Sequence, residues 1–386
     1  MSDVSLVRCE DYDRQHVETA LRACLEGLGG MGRYVRPGDK VLIKPNLLRG
    51  SRPEAAVVTH PEVVRAAVRL AQEAGGVVTI IDSPGGPANE SLMRRAYHLA
   101  GWDAVAAETG ATLSYNFTAV QVPSPDGKLI KRFDVLEEVT KADCVITLPK
   151  LKTHGLVRLT GATKILFGVV PGMLKMGYHT KLQTATAFSE MLLDLLGLVK
   201  PRLAIMDAVV GMEGKGPSAG NPRQIGAIAA SADSVALDVV CAHLIGLSAK
   251  DIPLLAAAVQ RGLSTGRLED ISVLGEQVER LRVPNFKTPP GNPDIGMLPA
   301  FLPRQMRSWV TGELLERPVA NPVRCTGCQT CMRSCPVQAI TMESPSGKKI
   351  AVMDAGICIR CYCCHELCPE NAIDLKRGQL GRLLIH

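Results

Sequence analysis

Apolar residues along the first 275 positions fall into two alternating patterns: a helical period, and short continuous runs bounded by glycine or proline. The helical period predicts helices over Val17–Leu28, Lys181–Val199, Ser234–Ile245 and Ala249–Arg261. Within the second of these, Leu182, Ala185, Met191, Leu192, Leu195, Leu196 and Val199 lie along one side. The short runs predict strands over Lys40–Leu48, Val77–Asp82, Cys144–Leu148, Leu203–Met206, Ile225–Ala230 and Ile271–Leu274. Thr59 and Glu62 have the spacing of a capping box for a helix reaching Ala74, ended by Gly75 and Gly76. Strand, helix and strand in succession imply parallel pairing. Pro125-Asp126-Gly127, inside Val120–Phe133, reads as a hairpin turn. The expected fold class is α/β, a mostly parallel sheet with an antiparallel excursion.

From Val283 to Pro322 the periodicity stops and Pro, Gly, Asn and Met dominate, which reads as a linker, with Leu302–Leu315 as a short amphipathic helix docking its two neighbours. The expected organisation is therefore an α/β domain over 1–282, a linker over 283–322 and a small α+β domain over 323–386.

Nine of the thirteen cysteines lie between Cys325 and Cys368. Eight form two copies of one run, Cys325-x2-Cys328-x2-Cys331-x3-Cys335-Pro336 and Cys358-x2-Cys361-x2-Cys364-x3-Cys368-Pro369. This is ferredoxin spacing for two 4Fe–4S clusters, in which the fourth cysteine of each run ligates the other cluster. Cys325, Cys328, Cys331 and Cys368 are assigned to the first cluster, and Cys358, Cys361, Cys364 and Cys335 to the second. A disulfide scaffold belongs to small secreted chains, and this chain opens Met-Ser-Asp-Val without a basic, then apolar, leader. Zinc sites use two Cys-x2-Cys pairs across a spacer. Cys363 falls out of register and is expected beside the cluster rather than on it. Cys9, Cys24, Cys144 and Cys241 read as small core residues.

Composition narrows the function classes. Aromatics make up 4% of the chain and net charge is only +6, so base stacking and a basic nucleic-acid surface are not signalled. No apolar stretch reaches the roughly 18 residues of a membrane span. Reduced cysteines and cluster ligation point to a cytoplasmic, reducing compartment.

The chemistry of the large domain is expected at strand ends, where open α/β sheets bind ligands. Gly27-Leu28-Gly29-Gly30-Met31-Gly32 matches a dinucleotide fingerprint by spacing but follows a helix and precedes a strand, the reverse of the required context. The Asp82-to-Ser91 loop leaves a strand for a helix, so Ser83, Gly85 and Gly86 are candidates for receiving an anion. Lys150, Lys152 and His154 alternate after another strand and would point to one side. Three such cations require an anionic ligand or facing carboxylates, for which Asp207, Glu213, Asp233 and Asp238 are candidates. Lys44 and Asn46 end a further strand. The candidate catalytic groups are Lys152, His154, Lys44 and Lys164, with Lys150, Asn46, Ser83, Gly85 and Gly86 as binding groups.

Lys44-Pro45-Asn46, Asp82-Ser83-Pro84, Lys150-Leu151-Lys152-Thr153-His154, Thr160-Gly161 with Lys164, and Asp207-Ala208 with Glu213-Gly214 make the first 290 or so positions resemble the DUF362 family, which often carries a bacterial ferredoxin-type tail. The resemblance implies this domain pairing and two clusters; it implies no shared reaction. The expected function is an iron–sulfur oxidoreductase passing single electrons to an anionic substrate or cofactor in the basic crevice. The alternatives are an electron carrier or reductive activator whose α/β domain docks a partner enzyme, and a non-redox site with structural clusters. Expected partners are a redox protein or reductant and an anionic small molecule, with no nucleic acid and no membrane; a homodimer is left open.

Overall fold

Side chains on a strand alternate between faces, and here both faces are apolar, so the sheet must be covered on both sides. The computed structural model describes residues 1–86, 89–289, 312–344 and 347–379, with Met306, Val310 and Leu383. In chain order the strands of the large domain are β1 (Ser2–Arg8), β2 (Lys40–Pro45), β3 (Val77–Ile80), β4 (Thr112–Leu113), β5 (Ala119–Pro123), β6 (Arg132–Leu136), β7 (Cys144–Leu148), β8 (Lys150–His154), β9 (Arg158–Thr160), β10 (Leu203–Glu213), β11 (Asn221–Ser231) and β12 (Ile271–Gly275). The main sheet has the order β12-β1-β11-β10-β7-β2-β3-β4, with β8 and β9 branching from β10. Its pairs are parallel except where β11 meets β1 and β10, and where β9 meets β8. Strands β5 and β6 form the expected hairpin as a separate two-stranded sheet.

Neighbouring residues of β10 show how both faces are buried. Ile205 packs with Ile43, Ile146 and the helices Arg14–Glu26 and Pro61–Glu73, while Met206 packs with Ala229 and the helices Ala185–Val199 and Ser234–Leu244. The chain runs outward from β2 to β3 and β4, then returns to β7 on the other side of β2. That reversal leaves a crevice beyond the carboxyl ends of β2 and β7.

Several local expectations change. Thr59 is not a cap: its hydroxyl donates to Leu148 O at 2.6 Å and accepts from Asn46 N at 2.9 Å, tying the ends of β2 and β7 together. His60 caps the helix instead, its Nδ1 accepting from Glu62 N. The expected helix Lys181–Val199 is two helices, Leu174–Lys181 and Ala185–Val199, divided where Thr184 caps the second. Ala249–Arg261 likewise splits before Pro253, which opens Pro253–Gln260. Strand β1 was not expected, and β10 and β11 run longer than their apolar stretches. The helix expected over 302–315 lies mostly outside the described residues.

The cysteine-rich segment contains β13 (Arg317–Ala320), β14 (Ile340–Glu343), β15 (Ile350–Met353) and β16 (Ile373–Lys376), with short helices Thr330–Arg333 and Cys363–Leu367. Strands β13 and β16 pair antiparallel, as do β14 and β15. Its backbone repeats with the sequence. Gly327 and Arg360, Gln329 and Tyr362, and Gln338 and Asn371 occupy matching places in the two runs, and all six have positive φ. Only glycine adopts that conformation without penalty, so the recurrence at five non-glycine residues marks a geometry imposed twice.

Candidate functional site

Lys44, one residue before the end of β2, is buried, and its Nζ donates to Asp82 Oδ1 at 2.6 Å and to Pro45 O at 3.0 Å. The other oxygen of Asp82 accepts from Leu47 N at 2.6 Å, so one carboxylate joins the ends of β2 and β3. Burial lowers the Lys44 pKa and the Asp82 charge opposes the shift. Gly168 must be glycine here, since a Cβ would lie 2.2 Å from Asp82 Oδ1 and 2.3 Å from Lys44 Nζ.

Two more lysines stand beside this pair. Lys175, on the helix Leu174–Lys181, is buried and donates to Val170 O at 2.7 Å and to Ser83 O. Among the described residues no carboxylate touches it, and burial lowers its pKa to about 7. Lys164 is half-buried and makes no hydrogen bond or ion pair among the described residues; burial lowers its pKa against the attraction of Glu366. Ser83 Oγ is buried without a hydrogen-bond partner among the described residues. His179 stacks on Phe188 with centroids 4.9 Å apart, and burial lowers its pKa to about 4.

These groups surround a cavity of about 730 Å³ that opens to solvent. Lys44, Asn46, Asp82, Ser83, Gly85, Gly86, Lys164, Phe167, Lys175, Met176 and His179 line it from the α/β side, and Ser334, Cys363, Glu366 and Leu367 from the cysteine-rich side. The site therefore lies between two parts of the chain.

The alternating trio of β8 does not line this cavity. Lys150 Nζ donates to Asp207 Oδ2 at 2.9 Å and to Tyr12 OH at 2.6 Å, a closed buried network in which Tyr12 in turn donates to Asp207 Oδ1. Lys152 donates to Val57 O at 2.8 Å, and its pKa is lowered well below the usual lysine value by burial and by the Lys164 charge. His154 Nδ1 accepts from Leu156 N and Val157 N, which leaves the proton on Nε2. That nitrogen lies 3.1 Å from Glu366 Oε1, out of line for a good hydrogen bond but close enough for strong attraction. Glu366 is held at about 2 by His154, Lys164 and His179, against the upward effect of burial. Of the four carboxylates expected to face the basic groups, only Asp207 does so. Glu213 accepts from Lys287 N, Asp233 caps the helix Ser234–Leu244, and Asp238 accepts from Ala162 N and Thr163 N. The neutralising carboxylates are Asp82 and Glu366.

The thirteen cysteines are all free thiols, and Cys9, Cys24, Cys144 and Cys241 are buried as expected. Among the described residues no three His, Cys, Asp or Glu groups converge as a single ion would require. The thiols instead stand around spaces, as ligands of a larger cluster do. One pocket is lined by Cys335, Cys358, Cys361, Cys363 and Cys364, which includes the crossed set expected for one cluster. Cys331 is pushed up to about 11 by burial, with Cys368, Cys328 and Cys325 as its thiol neighbours, which is the other set. The fourth cysteine of each run accepts an equivalent amide, Ala339 N to Cys335 Sγ and Ala372 N to Cys368 Sγ, both at 3.2 Å. Such bonds tune cluster potentials. The residues present fit two 4Fe–4S clusters. Cys363 takes the place that Thr330 has in the first run and faces the large cavity.

Fold and thiol geometry define an α/β protein with a ferredoxin-type tail. A model described as a 4Fe–4S dicluster domain matches residues 324–372, and one described as a domain of unknown function, DUF362, matches residues 41–243. A thylakoid-associated protein of Synechocystis sp. is 37% identical over 319 residues, covering 80% of this chain and 93% of its own length. The chain belongs to the DUF362 family. Among solved structures, the lactate racemase apoprotein of Thermoanaerobacterium thermosaccharolyticum aligns with a TM-score of 0.39 at 12% identity, over 64% of this chain and 58% of that one. A Thermotoga maritima protein aligns with a TM-score of 0.34 at 11% identity, over 59% of this chain and 57% of its own. The chain thus spans less than two thirds of either structure. The dicluster domain gives the chain an iron–sulfur electron-transfer role. Among the described residues no helix is long and apolar enough to cross a membrane.

Proposed function

We propose that this chain is an iron–sulfur oxidoreductase that reduces or oxidises an anionic substrate or cofactor seated in the cavity between its two parts. The observation that carries the reading is the make-up of the wall: Lys44, Lys164 and Lys175 face Glu366 and Cys363 of the helix that interrupts the second cysteine run. The clusters, held by the eight cysteines of the two runs, supply single electrons when bound. Lys164, which makes no hydrogen bond or ion pair among the described residues, binds the anion. Asp82 fixes Lys44 in place beside it. Lys175, with its pKa near 7, holds or releases a proton at Nζ as charge develops on the ligand. Phe167, Met176 and Leu367 keep water from the ligand's apolar part. His154 acts through Glu366 as a positioning residue, and Lys152 lies behind the wall. A reducing compartment suits the free thiols.

The test is anaerobic purification, iron and sulfide quantitation, and mass spectrometry of small molecules released on denaturation. The expected result is an anionic molecule bound to the native chain and absent from Lys164→Ala, with cluster content unchanged in both. Full clusters with an empty cavity in the native chain, and no effect of Lys164→Ala, would overturn the enzyme reading and leave the α/β part as a docking module for a partner.

A further inference from the structure

Cys328 is the one cluster-ligand cysteine classed as exposed; the other seven are buried or half-buried. Its surroundings differ from the cavity end. Val323, whose carbonyl Lys348 reaches, is 83% exposed. Arg333 reaches the Cys328 carbonyl, and the backbone of Lys349 packs on Gly327, where a Cβ would meet Lys349 O at 3.0 Å. Lys348 donates to Pro322 O and Val323 O. Among the described residues Arg333, Lys348 and Lys349 make no ion pair, so their charges face solvent; Glu370 is the carboxylate sensed by Cys328. Arg324, by contrast, is neutralised by Asp374.

The set Cys325, Cys328, Cys331 and Cys368, which would hold one cluster, thus presents Cys328 to solvent within a basic rim, while Cys363 and Glu366, beside the cysteines that would hold the other cluster, face the cavity. We propose that the Cys328 edge is the docking surface for an acidic one-electron carrier protein. Complementary charge steers such a partner and raises its on-rate, and exposed Val323 supplies a small dry contact at the centre. One electron passes between the carrier and the chain, the reduced carrier being oxidised by one electron, with no bond or proton exchanged. This inference stands on the rim and not on the cavity reading.

The test uses the anaerobically purified full chain and, as probe, an acidic single-cluster ferredoxin. Binding is measured by calorimetry at low salt and at about 0.5 M salt, where charge steering is screened. Cluster reduction is followed by stopped flow. The expected result is that salt weakens binding, and that the triple change Arg333→Glu, Lys348→Glu, Lys349→Glu weakens it and slows reduction at least about tenfold. Reduction by the small cation methyl viologen radical should not be slowed. Arg94→Glu, exposed on a helix of the α/β part, should change nothing. Absence of binding, equal binding by the triple variant, equal loss in Arg94→Glu, or equal slowing with the viologen would each overturn the proposal.

Discussion

Lys150 on β8 and Lys164 and Lys175 around the cavity lie near the carboxyl ends of the same sheet, and they are chemically different. At β8 Lys150 meets Asp207 and Tyr12, so its charge is closed within a hydrogen-bonded network. Around the cavity Lys175 donates to two carbonyl oxygens and lies over the Phe167 ring, with no carboxylate in contact among the described residues, and Lys164 has no hydrogen-bond or ion-pair partner among them. A buried cation that is fully paired belongs to the architecture, because removing its partner strands a charge. A buried cation left incomplete costs stability, and chains keep such groups where a ligand completes them. Lys150 and Lys175 are both buried, so it is pairing and not burial that distinguishes them.

The comparison breaks most sharply at Asp207. Asp207→Ala would leave Lys150 and Tyr12 buried together without their acceptor, and should cost about 3–5 kcal/mol of unfolding free energy, read by denaturant titration. Ligand content of the fraction still folded should be unaffected. A loss below about 1 kcal/mol would show that the β8 network is not the closed unit its distances describe.

Lys164→Met is the converse. It removes a cation with no partner of its own, so stability should stay the same or rise by about 1 kcal/mol. Calorimetric affinity for inorganic phosphate, used as a simple anion, should fall about tenfold or more, in line with the loss of a charged hydrogen bond. Equal destabilisation by Lys164→Met and Asp207→Ala would erase the distinction between the two groups.

This distinction was only half legible in the sequence. Strand ends and glycine-rich turns are local features, and they point to Lys44, Asn46, Ser83, Gly85, Gly86 and Lys164, which line one cavity. Alternation also put Lys150, Lys152 and His154 in one strand, but period two reports a shared side, not what lies opposite it. What lies opposite came from far away in the chain: Asp207 and Tyr12 for Lys150, and Glu366 for His154. Lys175 and His179 were missed because Met173-Leu174-Lys175-Met176-Gly177 has a weak helical period around a glycine, and Glu366 because its role depends on how the tail packs against the sheet. The cysteine runs were legible in full because their chemistry is encoded in short spacing.

The finest test of the comparison is the pH dependence of anion binding, which should be carried by Lys175 and not by Lys150. Burial brings the Lys175 pKa to about 7, whereas the shift of Lys150 is opposed directly by Asp207. Below about pH 7 the Lys175 amine is a cation and adds to the attraction for an anion; as pH rises through that value the charge is lost and affinity falls. If tight binding requires the cation, affinity for phosphate corrected for phosphate's own ionisation should drop about tenfold between about pH 6 and pH 8. Stability should move the other way. The unfolded lysine keeps its proton up to about pH 10.4, so the native state binds fewer protons across the interval above about 7, and the burial penalty of this group is relieved as pH rises. Lys175→Met should flatten both profiles, and Lys150→Met should flatten neither. A binding profile that keeps its fall in Lys175→Met would assign the titration to another group on the wall, with His179 the next to replace, since its pKa of about 4 would then have to rise when an anion is bound.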